Sequence, residues 1–349
     1  MKYRSKAPFR IGLAGGGSDV SPFSDNYGGA TLNASINLYA YTTIIPRTDG
    51  KIIIRAEDRG EKLEFDSIDE LPISGILDLQ VGVYNRIVKQ FQKSNLSFEM
   101  ITSMDVSSGS GLGTSSTLVT SVIGAFVEWF KLPLGEYDIA KLAFDIERKD
   151  LKMAGGKQDQ YAATFGGINF MEFGTDNSVI VNPLRLKSEV INELQFNLIL
   201  YYTETSRESS KIIETQASNA KAEKEIPVQA MKIVKEQAFL MKEALLTGEL
   251  HKVGEILSMS WENKKKMAEG ISNHYIDSIY AAAINAGATG GKISGAGGGG
   301  FMIFYSEENQ RQQVEEVLLS FGGKIKRYEF SSDGLTSWTV FKELGINYT

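Results

Sequence analysis

Three dense glycine clusters constrain this chain more than any other feature. They are GLAGGGSD at 12–19, GSGLGTSS at 109–116 and GAGGGG at 295–300. The chain has 35 glycines in 349 residues, and the excess over the ~7% usual in proteins lies in these stretches. An isolated cluster reads as a tight turn needing positive φ. The middle cluster has more context. SFEMITSMDV before it carries Phe98, Met100, Thr102 and Met104 in alternation, which predicts a strand, and STLVTSVIGAFVEWF after it is apolar nearly all round, which predicts a buried helix. In the order strand, glycine loop, helix, backbone N–H groups and the helix dipole converge on one point. Phosphate is the natural guest there. Thr114, Ser115 and Ser116 suit the helix cap.

Two common phosphate loops do not fit. The P-loop needs Gly-Lys-Ser/Thr at the helix start, and Gly113-Thr114-Ser115 has no lysine. The dinucleotide spacing G-x-G-x-x-G is met by Gly295, Gly297 and Gly300. That match follows a helix and precedes a strand, the reverse of what the dinucleotide fold requires.

Elsewhere, strands are expected at 8–13, 30–45, 51–56, 196–202, 301–305, 324–330 and 336–342, and in FGGINFMEF. Helices are expected over 76–92, 115–130, 138–153 and 307–320, and over most of 208–285 with a break near KAEKEIPVQ. At this length two domains are expected, and the loosened pattern at 182–190 puts their boundary between 1–185 and 186–349.

A net charge of −6 argues against a nucleic-acid partner. The absence of cysteine removes disulfides, thiolate metal sites and a cysteine nucleophile, and fits the cytoplasm. His251 and His274 have no metal-ligand spacing and read as surface residues. MKYRSKAPFR lacks a signal-peptide core, and FNLILYY at 196–202 is too short to span a membrane. Oligomeric state is open, a homodimer being one option.

Taken together, PFRIGLAGGGSD, GSGLGTSS and KISGAGGGGF resemble, in order and separation, the three motifs of the GHMP small-molecule kinases. The resemblance implies an α+β fold of two domains, ribosomal-protein-S5-like and then ferredoxin-like α/β, with ATP and substrate between them. It implies an ATP site at Ser108, Gly109, Ser110, Gly111, Leu112, Gly113, Thr114, Ser115 and Ser116, and Mg²⁺ held by Ser115 and Glu147. It makes Asp159, in GGKQDQYAATFGG, the catalytic aspartate and Arg10 its basic partner. Substrate contacts are expected from Gly17, Ser18, Asp19, Asn33, Lys157 and Gln158. Gly16-Gly17-Ser18-Asp19 stands where galactokinases carry a Glu-His pair, which argues against galactose. The GGGSDV form is instead similar to the heptose 7-phosphate kinase branch and its fucokinase relatives. That similarity implies γ-phosphoryl transfer from ATP to the anomeric hydroxyl of D-glycero-D-manno-heptose 7-phosphate. An L-fucokinase and a non-catalytic sugar and ATP sensor are the alternatives. A phosphorylated sugar needs a cation for its phosphate. Arg207, flanked by Ser206 and Ser209, and Lys157 are the candidates, while the ENKKK run at 262–266 reads as a solvated helix face.

Overall fold

Two sheets meeting at the glycine clusters organise the chain. The structure, a computed structural model, describes residues 1–205 and 209–341. The first half holds β1 (Lys2–Ala14), α1 (Phe23–Tyr27), β2 (Gly29–Pro46), β3 (Lys51–Ala56), β4 (Glu61–Asp66), α2 (Asp78–Gln90), β5 (Phe98–Met104), α3 (Thr114–Phe130), α4 (Glu136–Asp145), α5 (Gln158–Phe165), β6 (Ile168–Phe173) and β7 (Val179–Pro183). The second holds α6 (Ser188–Asn197), β8 (Leu198–Tyr202), α7 (Ser209–Lys221), α8 (Glu225–Thr247), α9 (His251–Lys264), α10 (His274–Asn285), β9 (Gly290–Ile293), β10 (Phe301–Tyr305), α11 (Arg311–Leu319), β11 (Lys324–Ile325) and β12 (Thr336–Val340).

The first sheet runs β12-β1-β2-β5-β3-β4, with β6 added to β2 and β7 to β6. Strand β2 is long enough to serve two partners along one edge. Gly29–Ala34 pair with β6, and Ala40–Pro46 with β5. The register of β1 on β2 shifts between Pro8 and Arg10, a bulge that re-aims the strand where Arg10 leaves it. The second sheet, β11-β8-β10-β9, is antiparallel throughout.

Helix α3 matches its expected burial, with every residue from Ser116 to Phe126 inside. Phe126 stacks on Trp129 and Phe130 and meets Phe98 edge-on, which clamps α3 to β5. One apolar cluster continues from this sheet and α3 to Met241 and Leu245 of α8, Leu257 of α9 and Ile303 of β10, so the two halves share a core. A second cluster lies where Ile199 and Phe304 meet α10 and α11.

Several boundaries differ from expectation for identifiable reasons. The helix expected over 138–153 ends at Asp145 and passes into a π-helical turn, Ile146–Asp150, closed by Leu151 N–H donating to Ile146 O at 2.9 Å. The loosened stretch at 182–190 hides the end of β7 and the start of α6. Only Leu194 and Asn197 of α6 are buried, too few to set a period. The strand expected from 196 therefore starts at Leu198. Strand β4 is half-exposed and carries a correspondingly weak signal. The strand expected over 324–330 is confined to Lys324 and Ile325, with a separate bridge from Phe330 to Ile36 of β2, and the helix from 307 opens with a 3₁₀ turn, Glu308–Gln310. His251 and His274 are exposed, as expected. No described helix is long and apolar enough to cross a membrane.

Candidate active site

The second glycine cluster is built on backbone. Gly113, in the left-handed region at φ 78°, occupies the N-cap position of α3, and no side chain caps the helix. The cap expected from residues 114–116 is therefore not made. Those residues form the first turn, and Thr114 Oγ1 instead accepts from Gly109 N–H at 3.3 Å, bracing the loop. Gly111, at φ 87°, lies flat against the third cluster. A Cβ there would collide with Ser294 O, and one on Gly295 would come within 2.7 Å of Gly111 Cα. Phe301 N–H donates to Ser110 O at 2.8 Å and Ser294 Oγ to Gly111 O at 3.3 Å, so the second and third clusters form one wall. Ser108, Gly109, Gly111, Gly113, Thr114, Ser115 and Ser116 line an open cleft of about 1220 Å³. Ser110 and Leu112 do not. Both side chains are fully buried, and their carbonyls accept from Phe301 N–H and Arg10 N–H, so they brace the loop from behind.

Behind this loop lies a carboxylate. Glu147, in the π-helical turn, is fully buried. Ser115 Oγ donates to its Oε1 at 2.9 Å, and Gln160 Nε2 donates to its Oε2 at 2.5 Å and to Ser116 Oγ at 3.0 Å. The Arg148 guanidinium stands 3.7 Å from Oε1. No group of three potential metal ligands among His, Cys, Asp and Glu occurs among the described residues. Even so, a hydroxyl and a carboxylate are hard oxygen donors, the set Mg²⁺ uses when phosphate and water complete its shell.

Asp159 sits in the first turn of α5 beside Gly113. Arg10 grips it through Nε at 2.8 Å and Nη2 at 2.7 Å, both on Oδ1, while Nη1 donates to Gly111 O at 2.7 Å. One guanidinium thus ties the aspartate to the second glycine cluster and leaves Oδ2 without a hydrogen bond among the described residues. Asp19 is held from four directions. Its Oδ2 accepts from Lys157 N–H at 2.9 Å and Gln158 N–H at 3.1 Å, its Oδ1 from Gly17 N–H at 3.1 Å and Gln158 Nε2 at 3.0 Å. Gly156 leaves room for this approach, since a Cβ would overlap the Asp19 carboxylate. Arg10, Gly17, Asp19, Gln158 and Asp159 line one cavity, next to the cleft along the second glycine cluster and sharing Arg10, Gly156 and Asp159 with it.

Other expected substrate residues are not brought there. Ser18 is fully buried and spends its hydroxyl on Gly15 O at 2.8 Å and Ala30 O at 2.9 Å, which holds the first turn in shape. Asn33 is buried within β2 with Nδ2 3.6 Å from Met171 Sδ. Lys157 contributes its N–H to Asp19, but its ammonium turns to Asn177 Oδ1 at 3.0 Å and Asp25 Oδ1 at 3.3 Å, so it is committed elsewhere. Arg207 and Ser206 lie outside the described residues, as does the Ser209 side chain.

Two cations went unread in the sequence. Lys264, expected on a solvated face, is 3% exposed, lines the same cavity and donates to Gly295 O. Burial and the nearby Arg10 guanidinium push its pKa down to about 8, against the pull of Asp19 and Asp159. A signal was present. Val253, Leu257 and Trp261 are buried at helical spacing, and Lys264 continues their stripe, whereas Lys266 does not. Lys292, 2% exposed on β9, lines the cavity too. Burial, then Lys264 and Arg10, push its pKa well below the lysine range. Nothing in KISG marks that lysine as inward-facing.

Comparison with known proteins agrees with this geometry. Residues 79–167 match the family model of the GHMP kinases N terminal domain, and residues 241–324 that of the GHMP kinases C terminal. The chain is 47% identical over 337 residues to the D-glycero-alpha-D-manno-heptose 7-phosphate kinase of Campylobacter jejuni, covering 97% of this chain and 99% of that one. A crystal structure of a D-glycero-D-manno-heptose 1-phosphate kinase from Bacteroides thetaiotaomicron superposes with a TM-score of 0.83 at 43% identity, over 97% of this chain and 100% of that one. The bifunctional fucokinase/GDP-fucose pyrophosphorylase of Arabidopsis thaliana is 28% identical over 305 residues, 83% of this chain and 28% of its own length. The chain belongs to the GHMP kinase family.

Proposed function

We propose that this chain is an ATP-dependent sugar kinase that transfers the γ-phosphoryl group to the anomeric hydroxyl of D-glycero-D-manno-heptose 7-phosphate, giving the 1,7-bisphosphate. One observation carries the reading. Asp159, whose Oδ2 has no hydrogen bond among the described residues, lines both the nucleotide cleft and the second cavity, with Arg10 tying the same carboxylate to the phosphate loop. The 47% identity to a heptose 7-phosphate kinase selects the sugar.

In this reading ATP lies along Ser108–Ser116 with its phosphates at the uncapped start of α3. The sugar occupies the second cavity, where Asp19 and the Gln158 amide orient its hydroxyls. The anomeric oxygen attacks phosphorus as the bond to the ADP oxygen breaks, and Asp159 orients that hydroxyl and takes its proton. Arg10 offsets negative charge on the group in flight. Ser115 and Glu147 would hold Mg²⁺, which neutralises phosphate charge when bound. A cytoplasmic location goes with the reading.

A coupled ADP-release assay tests it, with Mg-ATP and a panel of heptose 7-phosphate, heptose 1-phosphate, mannose 6-phosphate, L-fucose and galactose. Strong preference for heptose 7-phosphate is expected. Turnover of heptose 1-phosphate instead would refute anomeric transfer, since that hydroxyl is already blocked. Turnover of L-fucose alone would make the chain a fucokinase, and no ADP from any sugar would point to a sensor.

A further inference from the structure

The sugar cavity has more buried positive charge than its carboxylates can offset. Its anions are spoken for. Asp19 accepts four hydrogen bonds, and Asp159 is paired with Arg10. Facing them are Lys264 from α9 and Lys292 from β9, both more than nine-tenths buried. Among the described residues Lys264 donates only to a carbonyl, that of Gly295. Lys292 has no side-chain hydrogen bond or ion pair among the described residues. Two ammonium groups in a shared cavity, one of them unpartnered, are costly to bury without an anion. Their place narrows the choice of anion. Both lysines line the cavity that holds Asp19, whereas the nucleotide cleft has Arg59 and Arg148 and neither lysine.

We propose that Lys292, with Lys264, receives the phosphate that the sugar already carries, and so selects a phosphorylated acceptor over a neutral one. This inference rests on the kinase reading above and deepens it. The two ammoniums donate charge-assisted hydrogen bonds to a phosphate dianion. With that phosphate pinned, the anomeric hydroxyl at the opposite end of the sugar is left to Asp159. The groups facing the pair are Arg10 from β1, Asp19 from the first glycine turn and Asp159 from α5. Crowding by burial and like charge disfavours the protonated lysines in the empty cavity, and a dianion reverses that. Binding of a sugar phosphate near neutral pH therefore takes up protons.

The test compares Lys292→Met with the wild-type enzyme on heptose 7-phosphate and on unphosphorylated heptose. We expect KM for the phosphorylated sugar to rise at least tenfold, with KM for ATP and kcat/KM for the neutral sugar changed less than twofold. A raised KM for ATP, or an equal loss on both sugars, overturns the proposal and gives the lysines to the transferring group. If Arg207→Ala shows the selective loss and Lys292→Met does not, the phosphate lies elsewhere and the proposal falls. Calorimetry on the wild-type enzyme without nucleotide, in buffers of different ionisation enthalpy, guards against a misfolded variant. Proton uptake with heptose 7-phosphate but not with heptose supports the pair, and equal proton exchange with both refutes it. If wild type turns over no sugar at all, the kinase reading fails first. Selective binding of the phosphorylated sugar with proton uptake would still uphold the pocket.

Discussion

The two sides of the cleft are made of different material. The nucleotide side is mainly backbone: a glycine loop, an uncapped helix start and a second glycine loop packed against the first. The side we propose for the sugar is mainly side chain, with Arg10 from β1, Asp19 from a turn, Lys264 from α9 and Lys292 from β9 buried and Asp159 from α5 half-buried. A backbone cradle suits what every nucleoside triphosphate shares, its phosphate chain. A wall of charged side chains can change one residue at a time, which is why we propose that acceptor choice is set there.

The difference can be broken in four ways, in falling order of effect. Asp159→Asn should lower kcat by ~10²-fold or more, the usual worth of a positioned acid–base group, with ATP binding intact. Steady-state kinetics with a nucleotide titration checks it, and normal turnover would remove Asp159 from the chemistry. Gly111→Ala should do the reverse, weakening ATP about tenfold, since its methyl would collide with Ser294 O and force the loop out of the shape that fits the phosphates. Unchanged ATP affinity by calorimetry would mean that the loop tolerates side chains and is no cradle. Ser115→Ala, the change that tests a side chain on the backbone side, should raise the Mg²⁺ needed for half-maximal rate by a few-fold, roughly one hydrogen bond's worth. An unaltered metal titration would remove Ser115 from the metal's shell.

The smallest effect is on stability. Lys264 has a pKa near 8 in the folded chain against 10.5 in the unfolded chain. Below pH 8 both states hold the proton, and the folded state bears the cost of burying it. Between about 8 and 10.5 the unfolded state binds more protons, so this cost fades as pH rises. Lys264→Met should therefore melt higher than wild type at pH 7, on the order of a degree or two, with the gap narrowing towards pH 10. A gap independent of pH would mean that the ammonium's charge is not what burial penalises.

Legibility in the sequence followed the same division. The phosphate loop announced itself locally, because strand, glycines and helix are contiguous from Phe98 to Phe130. The roles of Arg10, Asp159, Ser115 and Glu147 came only from the resemblance to the GHMP kinases, and the fold brings these residues together in two pairs. The sugar side was less readable. Lys157 stands in a motif, yet its ammonium turns to Asp25 and Asn177, a choice made by chain more than a hundred residues upstream and twenty downstream. Lys264 looked like one of three solvated lysines, and only its phase against Val253, Leu257 and Trp261 told it from Lys266. Lys292 faces inward because β9 is packed on both sides, a fact of tertiary structure with no local mark.

The last described strand has a consequence for how the protein is made. Strand β12 pairs with β1 over Lys2–Lys6, more than three hundred residues earlier in the sequence. Without it, β1 would be the open edge of the first sheet. On a ribosome adding ~5–20 residues per second, that edge waits on the order of tens of seconds for its partner to emerge. Until then the nascent chain carries an unpaired strand of the kind that invites association with a neighbour. Strand β12 thus acts as a seal on β1, and a polysome crowded with half-made copies is where its absence would be felt first.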